Sequence, residues 1–320
     1  METSRRLFLA GSVAAGLLAT TGSKAEDTSS PKEKVWRCGL GMNGFMSSSD
    51  TFNKTYPIWE VLQFTADTGF DGVELVDGWP MGHYPSADES ERIAALRRMH
   101  DCYGLQIYSM QTGGSDAHSV NPRARHAWLR QFRKDLRLCK ALGGEFIGVW
   151  PGGGLEGNPT VDHAIECLAL SYREAAQICA DEGMYMSFEI EPPFIFNTFE
   201  HLQKILAAVD HPACKTNYDP SHFDLMWGSK GKPEEMLEKV GVEHIGHVHL
   251  TDTDGTLFGP TSKHLACGDG HCDIAASLKM LWEGNYSGWI MIDAWMIEDA
   301  YDAARKGKEA IDAALKRYQG

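Results

Sequence analysis

Short apolar runs alternate with longer stretches of helical periodicity from about residue 35 to the end of the chain. The apolar runs predict strands at 35–40, 72–76, 105–110, 145–150, 184–190, 215–219, 244–250 and 288–293. Apolar residues spaced three and four apart predict helices at 56–68, 86–103, 121–142, 160–182, 198–209, 233–240, 273–283 and 298–317. Gly69, Gly104, Gly143 and Gly183 each follow a helical stretch and precede a strand, as glycines that end helices do. The alternation predicts a parallel sheet whose strands are connected by helices.

Eight such units predict a single (β/α)8 TIM barrel, which we assign to residues 35–320. The length agrees, because this barrel needs about 250 residues plus insertions. A doubly wound open sheet is the alternative, but the glycines at 152–154 after the fourth strand lack the spacing of its phosphate-binding turn. A barrel places its chemistry at the carboxyl ends of the strands, which open onto one face.

The first 25 residues differ from the rest of the chain. Arg5 and Arg6 precede an apolar run of small residues, and Ser23-Lys24-Ala25 follows as a small-x-small sequence. This order resembles a twin-arginine signal peptide at 1–25, with cleavage after Ala25 and a polar linker at 26–34. The resemblance implies the Tat export machinery as a partner, a periplasmic location and a cofactor or metal loaded in the cytoplasm before export. An N-terminal helix packed on the barrel, or a retained anchor, is the alternative.

Composition limits the partners of the chain. The formal net charge is −14, and an acidic surface repels the phosphates of nucleic acid. Apolar residues make up 43% and charged residues 23%, as in an ordinary globular enzyme, and no stretch of the mature chain is long and apolar enough to span a bilayer. Most of the eight cysteines fall in apolar elements and are expected to be reduced. Only Cys267 and Cys272 lie close enough in a loop to suggest a disulfide.

Four predicted strands in succession end in a side chain that can bind a metal ion. Glu189 ends the fifth strand, Asp219 the sixth, His249 the seventh and Asp293 the eighth. A single acid at a strand end more often caps a helix or pairs with a base, but four on neighbouring strands would converge at the barrel mouth. Three carboxylates and one imidazole fit one divalent ion, Mn²⁺, Mg²⁺, Co²⁺ or Zn²⁺, with positions left for substrate oxygens. Glu191 points to the same side of its strand as Glu189 and is an alternative ligand.

Three motifs give the chain a family resemblance. The chain resembles the xylose isomerase-like TIM barrel superfamily over about residues 35–318, on the motifs Asp219-Pro220-Ser221-His222, His247-Val248-His249-Leu250-Thr251-Asp252 and Gly268-Asp269-Gly270. That superfamily includes ketose 3-epimerases, inosose dehydratase-like proteins and AP-endonuclease-like sugar isomerases. The resemblance implies that Glu189, Asp219 and His249 bind the metal ion and that His222 lies beside the bound sugar. Asp293 stands where the family usually has glutamate.

The resemblance also implies proton abstraction next to a carbonyl, with the metal ion stabilising the enediolate that forms. In the family's 3-epimerases the carboxylates of strands five and eight exchange the proton from opposite faces, which makes Glu189 and Asp293 the expected catalytic pair. His222 is the third expected catalytic residue. Asp293 is shorter than glutamate by one methylene, about 1.5 Å of reach, and proton transfer tolerates little displacement. Gly255 stands where those epimerases have a substrate-binding arginine.

Five further side chains near the predicted mouth are expected to contact the substrate. Trp150 and Trp295 follow strand ends, and an indole face stacks on the C–H face of a sugar ring. Lys263 and His264 lie in the loop after the seventh strand, and Glu191 is expected to face the substrate when it is not a ligand. The mouth loops carry few basic residues, so we expect an unphosphorylated substrate.

These observations favour a divalent-metal-dependent isomerase or epimerase that acts on an unphosphorylated sugar or cyclitol. The shortened Asp293, the missing arginine and the signal also fit a lyase or hydratase that acts on a 3-keto-glycoside at the same metal site. A third alternative is a barrel that binds a sugar without turning it over, because one fold hosts many functions. A homodimer is compatible with the family, while composition does not distinguish it from a monomer.

Overall fold

The computed structural model of the chain describes residues 36–76, 83–226 and 232–319. The predicted signal at 1–25 and the linker at 26–34 lie outside these residues. The strands are β1 (Arg37–Gly41), β2 (Gly72–Val76), β3 (Gln106–Gly113), β4 (Phe146–Trp150), β5 (Tyr185–Phe188), β6 (Cys214–Tyr218), β7 (Ile245–Leu250), β8 (Leu257–Phe258), β9 (Thr261–Ser262) and β10 (Trp289–Ile292). The α-helices are α1 (Met42–Phe52), α2 (Ile58–Asp67), α3 (Ser90–Asp101), α4 (Pro122–Leu142), α5 (Val161–Asp181), α6 (Phe199–Val209), α7 (Pro220–Asp224), α8 (Pro233–Val240), α9 (Ile274–Glu283) and α10 (Ala300–Gln319).

Eight of these strands close a parallel barrel. Their order is β1-β10-β7-β6-β5-β4-β3-β2, and β2 pairs with β1 to complete the ring. Helices connect the strands, while β8 and β9 form a small antiparallel hairpin between β7 and α9. The predicted single (β/α)8 TIM barrel is therefore confirmed. The eight predicted strands correspond to the eight strands of the closed barrel.

Elements near the barrel mouth were not predicted. The helix α1 contains Gly44 and three consecutive serines, so its sequence shows little helical pattern. Tertiary packing holds it: Phe45 is fully buried, and its ring contacts those of Tyr56 and Tyr301 edge to face. The helix α7 has five residues and the hairpin strands two each, which is too short for periodicity to be visible.

The barrel interior changes from aromatic to polar along its axis. Near the amino ends of the strands, Tyr108 stacks on Trp289 with ring centroids 3.8 Å apart, and Phe146 packs beside them. Closer to the carboxyl ends, Glu74 and His247 are buried in the lumen. The aromatic layer thus packs the barrel interior beneath the polar groups.

The cysteines follow the expectation of reduced thiols. Cys139, Cys179 and Cys214 are buried, and burial raises the pKa of each thiol. Cys267 and Cys272 are both free, so the suggested disulfide between them is not formed. In the ranges that the structure describes, no helix combines the length and the apolar character needed to cross a membrane.

Candidate active site

The four strand-end residues come together above the centre of the barrel. Glu189 follows β5, Asp219 follows β6, His249 is the penultimate residue of β7 and Asp293 follows β10. All four are buried. Ligand atoms of Glu189, Asp219 and His249 lie within 4.8 Å of one another, and Oδ2 of Asp293 is 3.6 Å from Nδ1 of His249. The barrel therefore places one imidazole and three carboxylates around one point, which we call the ligand cluster.

Three atoms in the ligand cluster have no hydrogen-bond partner. They are Oε1 of Glu189, Oδ2 of Asp219 and Nδ1 of His249. Buried polar atoms are nearly always hydrogen-bonded, because an unpaired one loses its hydration without compensation. A single divalent cation would satisfy all three atoms at once. The donor set of oxygen and imidazole nitrogen therefore fits a metal ion.

The second oxygen of two carboxylates is fixed by the surrounding protein. Nε2 of Gln111 donates to Oε2 of Glu189 at 3.1 Å. Oδ1 of Asp219 accepts hydrogen bonds from the backbone nitrogen and the hydroxyl of Ser221, each at 2.8 Å, because Asp219 caps α7. Each carboxylate thus has one oxygen held by the protein and one directed to the centre of the cluster.

Asp293 is held from two other elements. Its Oδ1 accepts hydrogen bonds from Nδ2 of Asn43 in α1 at 3.1 Å and from the backbone nitrogen of Trp295 at 2.9 Å. These bonds leave Oδ2 for an ion. They fix the shortened side chain in the ligand cluster, which favours metal binding over movement of a proton on the far face of a substrate.

Charge in the ligand cluster explains why it would attract a cation. Burial raises the pKa of Asp219, and the carboxylates of Glu189 and Asp293 raise it further. Burial also acts to raise the pKa of Glu189, but the neighbouring His249 outweighs it and lowers that pKa to about 2. For His249, burial acts to lower the pKa, and the contact with Glu189 raises it above the usual value. A divalent ion would supply the positive charge instead and leave His249 as a neutral ligand.

His222 lies beside the ligand cluster. Its Nε2 is 3.8 Å from Oδ2 of Asp219 and 4.0 Å from Oε1 of Glu189. Its Nδ1 is hydrogen-bonded at 2.8 Å to the hydroxyl of Ser262 on β9, which in turn lies 3.0 Å from that of Ser221. Burial lowers the pKa of His222 to about 3, so the ring is neutral near pH 7. The hairpin thus fixes a neutral imidazole beside the cluster.

A further polar layer lies beneath His249. Oε1 of Glu74 is 3.6 Å from Nε2 of His249, and its Oε2 is 3.5 Å from Nδ1 of His247. The two imidazoles approach to 3.1 Å, and Nδ2 of Asn217 is 3.2 Å from the same Nε2. These groups hold His249 on the side away from the ligand cluster, which fixes the ring that presents Nδ1 to the centre.

The ligand cluster opens into a cavity of about 1030 Å³. Four of the five residues predicted to contact substrate line it: Glu191, Trp150, Trp295 and His264. Trp150 is braced by an edge-to-face contact with Phe194, whose ring centroid is 5.2 Å away. Apolar and aromatic walls with a few polar groups are typical of small-molecule sites.

Lys263 does not line this cavity. Its Nζ pairs with Oδ2 of Asp254 at 2.5 Å, on a part of the loop where both side chains are more than one third exposed. The neighbouring His264 points the other way and is buried. Of these two adjacent residues, His264 lines the cavity and Lys263 does not, which the sequence pattern did not show.

Glu191 stands in the cavity wall, while Glu189 contributes to the ligand cluster. Burial raises the pKa of Glu191 to about 8, so the carboxyl group carries a proton near pH 7. His264 also faces the cavity, and burial lowers its pKa. Its Nε2 has no hydrogen-bond partner, while its Nδ1 lies 3.3 Å from the carbonyl oxygen of Trp295. A protonated carboxyl group and a neutral imidazole thus face the substrate space.

Two basic residues of a helix line the cavity, although the loops at the mouth carry few. Lys134 and Arg137 of α4 line it, and so do the acids Asp88 and Asp135. The two pairs balance in charge, so this wall offers a phosphate group no net attraction.

Several residues that position the site lie in elements without a recognisable sequence motif. Asn43 and Gln111 lie far from the strand-end motifs in sequence, and a single amide in a helix or strand carries no recognisable signal. Ser262 lies in the unpredicted hairpin. Glu74 did have a signal, because it is the one charged residue in the apolar run of β2.

Three comparisons relate the chain to known proteins. The family profile described as xylose isomerase-like TIM barrel matches residues 62–317. The chain is 27% identical over 307 residues to an inosose dehydratase from Clostridium botulinum (strain Eklund 17B / Type B), covering 88% of this chain and 96% of the relative. Another inosose dehydratase, from Clostridium botulinum (strain Alaska E43 / Type E3), is 28% identical over 160 residues, and the match spans about half of that relative, 52%.

Solved structures show the same fold. The crystal structure of IOLI protein with a binding zinc atom superimposes with a TM-score of 0.68 at 16% identity, covering 88% of this chain and 99% of that chain. A 3-keto-D-glucoside 4-epimerase from E. coli superimposes with a TM-score of 0.64 at 20% identity, covering 88% of this chain and 99% of that chain. At these identities the superpositions establish the barrel architecture.

Proposed function

Because the chain belongs to the xylose isomerase-like TIM barrel family, we propose that it is a divalent-metal-dependent enzyme that removes the proton next to a carbonyl group. The proposed substrate is an unphosphorylated sugar or cyclitol. The proposed reaction is isomerisation or epimerisation through an enediolate. The dehydratase and epimerase names of its relatives support this class of reaction. The zinc atom in the IOLI structure supports a metal ion.

One observation carries the proposal. Glu189, Asp219 and His249 direct three buried atoms without hydrogen-bond partners at one point, and that point opens into the cavity. A metal ion held there by these residues and Asp293 would supply Lewis-acid stabilisation of the negative charge that develops on the substrate oxygens. A folded protein rarely leaves such atoms unpaired without a ligand to receive them.

Glu189 is the base in this proposal. Gln111 donates to Oε2 of Glu189, and the Glu189 side chain lines the cavity beside the ligand cluster. When the carboxylate takes the proton from carbon, the electrons of the C–H bond form a C=C bond, the π electrons of the carbonyl move onto its oxygen, and an enediolate forms. Delivery of a proton to the former carbonyl carbon, with loss of the proton from the neighbouring hydroxyl, gives an isomer. Delivery of a proton from a second donor to the opposite face of the original carbon gives an epimer.

Three other groups are placed to hold the proton or the substrate hydroxyls. His222 and His264 present neutral rings to the cavity, and Glu191 carries a proton near pH 7. Any of the three can donate to an oxygen or carbon of the intermediate. Trp150 and Trp295 would stack on the sugar ring and exclude water from it.

Deuterium incorporation tests this reaction. The purified protein is loaded with Mn²⁺ and incubated in D₂O with keto-sugars and keto-cyclitols, and NMR follows the hydrogen next to each carbonyl. We expect exchange at one carbon with the native protein and none with Glu189→Gln. A substrate that reacts while keeping every C–H bond contradicts the enediolate route.

A lyase acting on a 3-keto-glycoside is the second candidate, and two observations favour it. Asp293 is fixed by Asn43 and Trp295, which leaves Glu189 as the carboxylate able to act as base beside the ion. The cavity of about 1030 Å³ lies at the upper end of the range of about 300–1,000 Å³ for small-molecule sites, larger than one hexose needs. Proton removal at C2 of a 3-keto-glucoside would expel the glycosidic group.

Release of the aglycone separates the two candidates. The protein is incubated with a chromogenic 3-keto-glucoside and, in parallel, with the unoxidised glucoside. Colour from the keto compound alone supports the lyase, while exchange of deuterium without release supports the isomerase or epimerase. Binding of both compounds without release or exchange would support the third alternative, a barrel that binds a sugar without turning it over.

A further inference from the structure

A second group of metal-ligand side chains lies outside the ligand cluster. Asp224 ends α7, and His271 and Cys272 are adjacent in the loop before α9. One donor atom from each, a carboxylate oxygen, an imidazole nitrogen and the thiol sulfur, lie within 4.8 Å of one another. We call these residues the outer triad. None of the three lines the substrate cavity.

The outer triad is accessible from solvent. The side chain of His271 is 53% exposed and that of Asp224 is 21% exposed, and Cys272 is partly buried. Nε2 of His271 lies 2.9 Å from Oδ2 of Asp224. An ion could therefore enter directly from water and exchange one hydrogen bond for two bonds to the metal.

The backbone that carries two of the three ligands is already fixed. Asp252 accepts hydrogen bonds from the backbone nitrogens of Gly268, Gly270 and Cys272, each at 3.0 Å. The ring of His271 packs against Gly255, where a Cβ atom would lie 2.9 Å from Cε1 of the imidazole. A preorganised loop binds an ion without first losing conformational freedom.

The local potential favours a cation. The carboxylates of Asp224, Asp252 and Asp219 place negative charge near the Cys272 side chain. Negative charge that disfavours a thiolate favours a divalent cation in the same place, and the cation in turn displaces the thiol proton to solvent.

We propose that the outer triad is a second metal site that binds Zn²⁺ or Co²⁺ in preference to Mg²⁺ or Mn²⁺. Thiolate and imidazole are the ligands that zinc and cobalt prefer, whereas the ligand cluster in the barrel has only oxygen and imidazole nitrogen. Three protein ligands leave the fourth position of a tetrahedral ion to water.

An ion at the outer triad would act on the segment that serves the barrel site. The helix α7 begins at its cap Asp219, contains His222 and ends at Asp224. A metal bond at Asp224 would fasten the end of this five-residue helix to the loop at 271–272. We therefore expect the outer ion to stabilise the fold locally rather than to take part in the reaction.

Cobalt spectroscopy distinguishes the outer triad from the barrel site. The apo protein is first saturated with Mg²⁺, then titrated with Co²⁺ while the near-ultraviolet spectrum is recorded. Thiolate coordinated to Co²⁺ gives a charge-transfer band that oxygen and nitrogen ligands cannot produce. We expect this band to grow and to saturate as Co²⁺ is added to the native protein, with release of the thiol proton.

Matched variants make the assignment specific. Cys272→Ser is expected to abolish the band, and Cys267→Ser, five positions away and also partly buried, is expected to retain it. Should Cys272→Ser fail to fold, His271→Ala, at an exposed position, is expected to move the titration midpoint to higher Co²⁺ concentration. Absence of the band in the native protein, or its persistence in Cys272→Ser, would overturn the proposal. Neither result depends on enzymatic activity, so the proposed reaction is tested separately.

Discussion

Oε1 of Glu189 lies 2.8 Å from Nδ1 of His249, yet neither atom has a hydrogen-bond partner in the structure. The two atoms are close without the alignment of a hydrogen bond. A metal ion in contact with both would satisfy them, since a carboxylate oxygen and a neutral imidazole nitrogen each offer a lone pair. This contact joins the ends of β5 and β7, which are neighbours of β6 on either side in the barrel. It is the geometric basis for the metal-dependent function that we propose.

Metal content should show which of the two glutamates at the end of the fifth barrel strand binds the ion. Glu189→Gln removes a carboxylate from the ligand cluster, and we expect loss of the bound divalent ion after dialysis. Glu191→Gln is the matched control, because it lines the cavity without joining the cluster, and we expect it to retain about one ion per chain. Elemental analysis of both purified variants checks this, and the reverse pattern would make Glu191 the ligand.

Glu74→Gln should weaken metal binding although Glu74 is not in the ligand cluster. The change keeps the shape of the side chain but removes the charge beneath His249 and His247. Groups that orient a metal ligand typically contribute about 10- to 100-fold in affinity. Calorimetric titration of the apo variant with Mn²⁺ measures the effect. An affinity equal to that of the native protein would show that Asn217 and His247 orient the ligand without the carboxylate.

Gly39→Ala should destabilise the barrel. A Cβ atom at Gly39 would lie 2.3 Å from Oη of Tyr108, whose ring is held by stacking on Trp289. Overpacking of this kind costs roughly 1–3 kcal/mol. Gly148→Ala is the control in another barrel strand, because its Cβ would meet its nearest neighbour, Gln111, at an ordinary 3.4 Å. Urea denaturation of both variants gives the comparison, and equal midpoints would contradict the packing described here.

Stability should depend on the protonation of His100 in α3. Burial lowers the pKa of His100 below its ordinary value of 6.5, so the folded state holds the neutral ring. When pH falls below 6.5 the unfolded chain binds the proton first, and the stability that the neutral ring provides above this pH is lost. Thermal melts of the native protein and of His100→Leu across this range measure the difference. We expect the stability of His100→Leu to fall less steeply, and parallel curves would exclude His100 as a cause.

Export should remove the first 25 residues. The proposed twin-arginine signal predicts that protein recovered from the periplasm begins at Glu26. Intact mass measurement gives the mature end directly. Replacing Arg5 and Arg6 with lysine is expected to leave the uncut chain inside the cell, whereas the same change at Arg97 and Arg98 in α3 is a control for charge and should not. Unchanged processing of the first variant would remove the basis for the assignment.

The sequence by itself determined the barrel and the types of residue at its mouth. Regular alternation of apolar strands with amphipathic helices repeats eight times, and each repeat depends mainly on local patterning, so strand and helix positions could be predicted closely. Glu189, Asp219, His249 and Asp293 were visible because each is a metal-ligand type at or beside the end of a predicted strand. Their convergence followed from the rule that parallel strands of a barrel end on one face.

Only the tertiary structure decided which atoms meet. The contacts of Asn43 with Asp293 and of Gln111 with Glu189 join residues 250 and 78 positions apart, and no local pattern specifies such a pair. The choice of Glu189 over Glu191 for the ligand cluster depends on where the strand ends and the chain turns. The outer triad likewise arises because α7 and the loop at 271–272 pack together. Long-range packing sets these distances to within tenths of an ångström, whereas residue order along the chain sets only which side chains are available.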